Sequence, residues 1–420
     1  MNTVKYKLSK LFPLLLIIFI GKQMVSQNTK DENGYGKSSV LQSDILGEER
    51  DIQIYLPPSY GTLSKKYPVL YVIDAQRYFL NGIAFQQNLA WQEIVPEFIV
   101  VGIQTDAVRR RELFDSEASK FIRFLEDELI PEINASYVTL DERMYFGWEM
   151  AAGLGVQLLA TKPHLFTGLL LASPTHISAD RLNKVDSLLK NGLNHDVSIY
   201  AALGTVENWA TASLFSLDSL FQKHPTKKIQ WTYHLSNKEN HYTTPLITMN
   251  EGLKLFFKDY GPIRFHSMQE FSDFGGIESL KKHYQNRGKR YQISEAIHLD
   301  TKHYLLVQAH QENDFETFEA LVREADGKMF IKDYYRQARW FGRYASFYLD
   351  NDRPEDALDI LALGFEKFPE ASILHYAKGN YYKKIGKINE ARQWYEKAIH
   401  IAKTNQEPEL QRYKTELRKL

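Results

Sequence analysis

The chain has 420 residues, 44% of them hydrophobic and 13% aromatic, enough for two or three domains with real cores. Lys plus Arg equals Asp plus Glu at 52 each, so the formal net charge is zero; this argues against nucleic acid as a main partner, because neutralising phosphates needs a basic face. Cysteine is absent, which excludes disulfides, thiolate catalysis and cysteine-ligated zinc.

The first 26 residues have the form of an export signal. Lys5, Lys7 and Lys10 precede an apolar run from Leu11 to Ile20 broken only by Pro13, and Met24-Val25-Ser26 offers a cleavage site before Gln27. The run is about ten residues, against the roughly 20 that a spanning helix needs, so cleavage is expected over a retained membrane anchor. A periplasmic or secreted location follows, with no membrane span in the mature chain. A polar segment occupies residues 27–47.

Residues 48–262 alternate strand-like and helix-like stretches. Asp51 to Leu56 has period two, and Pro57-Pro58-Ser59-Tyr60-Gly61 is a turn. Tyr67 to Asp74 is a continuous apolar run, as in a strand buried on both faces, and Phe98 to Ile103 is another. Ser119 to Leu129 reads as an amphipathic helix ending near Pro131. Arg143 to Phe146 is a short strand followed by Gly147 and a helix to Ala160; Gly168 to Ala172 and Val197 to Leu203 are two more strands. The alternation implies a doubly wound parallel sheet with its site at the carboxyl ends of the strands.

Beyond about Tyr260 the sequence becomes helical and rich in Tyr, Phe, Lys and Glu. Residues 263–335 are expected to form a helical linker or degenerate repeats. In residues 336–415, Ala345, Tyr348, Ala357, Leu361 and Gly364 match Gly379, Tyr382, Ala391, Tyr395 and Ala398 at a spacing of 34. That is the tetratricopeptide (TPR) period, with small residues where paired helices touch. Such a tail is expected to dock a protein partner; an ordinary helical bundle is the alternative.

Chemistry is expected where Arg143 to Phe146 leads into Gly147-Trp148-Glu149-Met150-Ala151-Ala152-Gly153. Small residues fall where a nucleophile elbow needs them, but the central residue is glutamate rather than serine. Together with Ile54 to Tyr60, Tyr67 to Asp74, Thr105-Asp106, Arg111-Glu112-Leu113, Phe121 to Pro131, Phe166 to Pro174 and His241 with Glu251 to Phe256, this stretch resembles the esterase family of α/β-hydrolases that includes enterobactin-type siderophore esterases and S-formylglutathione hydrolase relatives. The resemblance covers half the chain, and some family members also carry a TPR tail. It implies an α/β-hydrolase fold, with Glu149 in the nucleophile position, Glu207 as triad acid and His241 as triad base. It also implies an oxyanion hole from the backbone amides of Ala75 and Met150. If Glu149, Glu207 and His241 converge, the imidazole lies between two carboxylates.

Three departures stand out: serine is replaced at the elbow, Trp148 is bulky where histidine is common, and Ala151 replaces glycine. A carboxylate attacking an acyl carbon gives a mixed anhydride, a worse intermediate than an ester. The expected function is therefore a pseudo-esterase or ligand-binding module for an ester-like small molecule. The alternatives are an active periplasmic carboxylic-ester hydrolase, acting on a siderophore ester or small acyl ester, and a TPR adaptor whose hydrolase domain is only structural. No metal or cofactor is expected, since nothing resembles HExxH, a phosphate loop or a dinucleotide fingerprint. Glu207 could instead cap a helix and His241 be a loop histidine. His234 is expected on a strand face, Ser173 in a structural Ser-Pro turn, Asp74 as a loop-holding residue, and Arg109-Arg110-Arg111 as a solvated or ion-paired loop, with contact to an anionic ligand as the alternative.

Overall fold

The computed structural model describes residues 25–26, 35–324 and 327–420. Most of the export segment, its basic and apolar parts included, lies outside these residues, as does most of the junction to the first long strand. The chain divides into two units, Met1–Phe256 and Phe257–Leu420.

The first unit is built on a sheet whose strands are β1 (Val25–Ser26), β2 (Lys37–Ser43), β3 (Glu48–Tyr55), β4 (Tyr67–Ile73), β5 (Ile99–Ile103), β6 (Thr139–Trp148), β7 (Gly168–Ala172), β8 (Val197–Gly204) and β9 (Ile229–Ser236). Among the described residues the sheet has nine strands in the order β1-β2-β3-β5-β4-β6-β7-β8-β9. From β5 through β9 neighbouring strands are parallel, whereas β1, β2, β3 and β5 pair antiparallel in turn. The sheet is therefore mixed, not parallel throughout. β2 and β3 are joined by a tight turn through Gly47 (φ 73°), which returns the chain antiparallel, and β3 in turn joins the edge of β5 antiparallel.

Every residue of β4, β5 and β7 is buried, because helices cover both faces. In α1 (Ala75–Trp91), Gly82 lies against Leu70, Val72 and Val100. In α5 (Met150–Thr161), Gly155 lies against Tyr145 and Leu171, which the pleat places on the opposite face. Between these helices come α2 (Arg109–Phe114), α3 (Ala118–Arg123), a π-helical turn (Phe124–Leu129) and α4 (Ile130–Ser136). The helix expected to end near Pro131 thus continues to Ser136. Pro131 falls in the first turn of α4, just after the wide turn, where its missing N–H costs little. The remaining helices of this unit are α6 (Ala179–Asn191), α7 (Asn208–Lys223) and α8 (Thr244–Phe256). In α8, Gly252 and Phe256 lie on Leu170 and Gly168, on the α1 side of the sheet. A mixed sheet covered on both faces, with crossover helices between parallel strands, is the α/β-hydrolase fold.

The second unit is helical: α9 (Met268–Asp273), α10 (Gly276–Tyr291), α11 (Leu299–Gln311), α12 (Phe315–Glu324), α13 (Lys328–Tyr334), α14 (Ala338–Asp350), α15 (Pro354–Lys367), α16 (Ser372–Lys384), α17 (Ile388–Thr404) and α18 (Leu410–Leu417). The starts of α14 and α16, and of α15 and α17, are each 34 residues apart. Ala345, Ala357, Ala391 and Ala398 are fully buried. Gly379 faces the Tyr395 ring so closely that a Cβ there would lie 2.5 Å from it. Among the described residues, no helix of either unit is long and apolar enough to cross a membrane.

Candidate active site

Two adjacent parallel strands, β4 and β6, end in sharp corners that open α1 and α5. Each corner holds an acidic residue in a positive-φ conformation: Asp74 at φ 58°, ψ 47° and Glu149 at φ 56°, ψ −117°. Such geometry is strained for a side chain with a Cβ and persists only where the surroundings enforce it. At the second corner the Glu149 amide donates to the Ala172 carbonyl (2.9 Å), and the Glu149 carbonyl accepts from Gly153 (3.1 Å) and Thr175 (3.2 Å). A Cβ on Gly147 would sit 2.6 Å from the Ala151 backbone, and one on Gly153 would sit 2.0 Å from the Thr175 carbonyl. These two close approaches explain the small residues around Glu149.

Glu207 follows β8 and is fully buried. Its carboxylate does not cap α7. One oxygen accepts from the Gly204 amide (2.8 Å) and the Ser173 hydroxyl (2.9 Å), and the other pairs with His241 Nδ1 at 2.6 Å. Ser173, itself fully buried at φ 43°, also shares a 2.6 Å hydrogen bond with Thr244. Its burial and its bond to Glu207 make it a support rather than a nucleophile. The His241 side chain is 18% exposed and lies within an aromatic wall. The Trp148 ring is 4.9 Å away, Tyr242 5.5 Å and Trp209 6.0 Å. The Trp148 indole N–H also donates to the His241 carbonyl at 2.8 Å, so the bulky residue before the elbow helps to hold the histidine loop. His234 is exposed on β9, away from this constellation.

Glu149 takes a different partner. Among the described residues its ion pair is with Arg110, Nη1 to Oε2 at 2.8 Å, and its side chain is 29% exposed. Arg110 also binds the fully buried Asp74 through Nε at 2.9 and 3.0 Å, and donates to the Trp148 carbonyl at 3.1 Å. Thr105 donates to Asp74 as well. One guanidinium therefore spans both corners, stacked 5.4 Å from the Trp148 ring. Burial disfavours its charge, but hydrogen bonds and Coulomb attraction from Asp74, then Glu149, outweigh this and hold Arg110 above its ordinary pKa. The cluster in which histidine would lie between two carboxylates is divided in two: Glu207 with His241, and Glu149 with Arg110.

Arg110 was hidden in the arginine run. That run is the start of a helix rather than a loop, and it opens where the Asp106 side chain accepts the amides of Val108 (3.0 Å) and Arg109 (2.8 Å). Arg109 spends itself on Glu48, Glu112 and Glu117. Partners 36 and 39 residues from Arg110 leave no local signal; a second acid at the neighbouring strand end, Asp74, was the available hint. Ala75 and Met150 are the first residues of α1 and α5, where a helix leaves its amides without intrahelical partners.

Residues 43–353 match the family model described as "Putative esterase". Among solved structures the chain is similar to an IroE-like serine hydrolase from Shewanella oneidensis, at 19% identity and a TM-score of 0.53, over 69% of this chain and 99% of that one. It is also similar to an uncharacterised protein from Capnocytophaga ochracea DSM 7271, at 17% identity and a TM-score of 0.57, over 86% of this chain and 93% of that one. A curated relative, the uncharacterized protein YbbA of Bacillus subtilis (strain 168), is 37% identical over 64 residues, which is 15% of this chain and about a quarter (26%) of the relative. The structural likenesses are likenesses of fold; the family match spans most of the chain, and the chain belongs to the putative esterase family.

Proposed function

We propose that the α/β unit is a pseudo-esterase, a hydrolase pocket that binds an ester-like small molecule without forming an acyl-enzyme. The observation that carries this is the Glu149 carboxylate, which stands at the elbow and is tied to Arg110 at 2.8 Å. A carboxylate is a poor acyl nucleophile, and an ion-paired one is poorer. In serine proteases, which use the same kind of triad on another fold, loss of the serine costs on the order of 10⁶-fold in turnover, and the remaining site keeps about 10³-fold over water. The roles assigned to Glu207 as acid, His241 as base and the amides of Ala75 and Met150 as oxyanion donors belong to this proposal. The Glu207–His241 contact at 2.6 Å supports the first two.

The test is hydrolysis of p-nitrophenyl acetate by the purified chain and by Glu149→Ser. The wild type should be near the buffer rate, and the serine variant should exceed it by about 10²-fold or more, with a burst of acyl-enzyme. The intact Glu207–His241 pair favours a second reading, an ester hydrolase working without serine. Wild-type turnover abolished by His241→Ala would establish that reading instead.

Two further proposals complete the picture. The 34-residue recurrence of helix starts supports TPR repeats in the second unit and a protein-docking role for them; a folded, helical fragment 257–420 that retains a partner captured by the whole chain would bear this out. The pattern of residues 1–26 supports export, and amino-terminal sequencing of protein from the native cell should find Gln27 first. An intact Met1 on cytoplasmic protein would end that idea.

A further inference from the structure

We propose that Glu149 is the tethered occupant of an anion site built across the two elbows, a site whose cation is Arg110 and whose free ligand is a small carboxylate. This deepens the pseudo-esterase reading and rests on it only in taking Glu149 as no nucleophile. Asp74 is the fixed half of the arrangement. It is fully buried, takes the Nε side of Arg110 and is bonded to Thr105. Glu149 is the loose half. It is 29% exposed and accepts one hydrogen bond from Nη1 on one oxygen, while its other oxygen has none among the described residues. Removing it would leave an oriented guanidinium nitrogen on the Trp148 ring, beside the first turns of α1 and α5, whose amides favour anions. In the native chain the tether holds Glu149 at an effective concentration well above the roughly 10 mM at which a free carboxylate would half-fill the place, so free carboxylate at millimolar concentrations does not displace it. The elbow substitution thus does two things: it removes the nucleophile and it fills the place where a substrate's carboxylate would meet Arg110.

The experiment is thermal unfolding of the full chain in sodium formate against sodium chloride at matched ionic strength. Glu149→Gly should show a midpoint that rises with formate, with half the effect on the order of 10 mM, the strength of one charge-assisted contact. The wild type should not respond. Neither should Glu149→Gln, whose neutral side chain of equal length keeps the place filled. Arg110→Lys in the Glu149→Gly background should weaken the response about tenfold, because a single ammonium cannot bind Asp74 and formate as the planar fork does. If Glu149→Gly does not fold, Glu149→Ala carries the same comparison. The inference fails if formate acts equally on the wild type and the glycine variant, if the glutamine variant responds like glycine, or if a cooperatively folding glycine variant shows no response. Each of these leaves the hydrolysis test of Glu149→Ser untouched, so the two proposals fail separately.

Discussion

The two halves of the site use the same kind of group in opposite ways. In one half the Glu207 carboxylate is fully buried and accepts from Ser173, Gly204 and His241. In the other, Glu149 is partly exposed and, among the described residues, its side chain rests on Arg110 alone. Burial with several fixed donors makes a carboxylate part of the frame, since no alternative partner is within reach and desolvation penalises any loss. Partial exposure with one partner makes it replaceable. On the His241 side a fixed carboxylate holds an imidazole, while on the elbow side a guanidinium neutralises a carboxylate.

The comparison is broken most forcefully at Arg110. Arg110→Gln should destabilise the first unit by about 3–5 kcal/mol, because it strands Asp74 as a buried, unpaired charge. Adding Asp74→Asn should recover most of the loss. Urea unfolding of both variants measures it. A loss below about 1 kcal/mol would mean that Asp74 finds another partner and that the two corners are not bridged as described.

A smaller effect sharpens the contrast from the other side. Ser173→Ala removes one of the donors to Glu207 and leaves the Thr244 hydroxyl without its 2.6 Å partner. The expected cost is about 1.5–3 kcal/mol, the range for a hydrogen bond to a charged group. In a Glu149→Ser background the same change should lower recovered ester hydrolysis by weakening the hold on the acid that orients His241. Unchanged stability and unchanged recovered turnover together would show that Gly204 alone suffices to fix Glu207.

What the sequence revealed follows the same division. Glu149 was singled out at the turn between a strand and a helix, and Glu207 and His241 through the family resemblance, while buried strands such as Tyr67–Ile73 announce themselves by continuous apolar runs. Strand Lys37–Ser43 was missed because its outward positions include Val40 and its inward ones include Ser39 and Ser43, so the alternation is faint. The partners of Arg110, read only as part of a solvated or ion-paired loop, stayed unnamed because an ion pair across two strand ends carries no periodicity. Pro131 misled because a proline inside a helical run reads as a stop, whereas the π turn before it places the ring where a first turn tolerates it. The mixed character of the sheet depends on which edge β3 joins, and pairing partners are not written in either strand alone.

The smallest expected effect is the stability change from Glu149→Gly, and its sign is informative. The variant loses an ion pair whose acid is 29% exposed, a contact worth about 0.5–1 kcal/mol at most in such a setting. Glycine also enlarges the conformational freedom of the unfolded chain, a further cost of about 0.5–1 kcal/mol. Against this, φ 56° with ψ −117° is strained for glutamate by roughly 1–3 kcal/mol and natural for glycine. The terms nearly cancel and lean towards stabilisation, so the change should lie between about zero and 1 kcal/mol in favour of glycine. Urea unfolding of the full chain at low salt, where the ion pair counts most, gives the measurement. A destabilisation above about 2 kcal/mol would place Glu149 in the frame beside Glu207 and remove the distinction between the two halves. A stabilisation that grows with salt would show instead that the strained corner is kept for the carboxylate it presents to Arg110, at the expense of the fold.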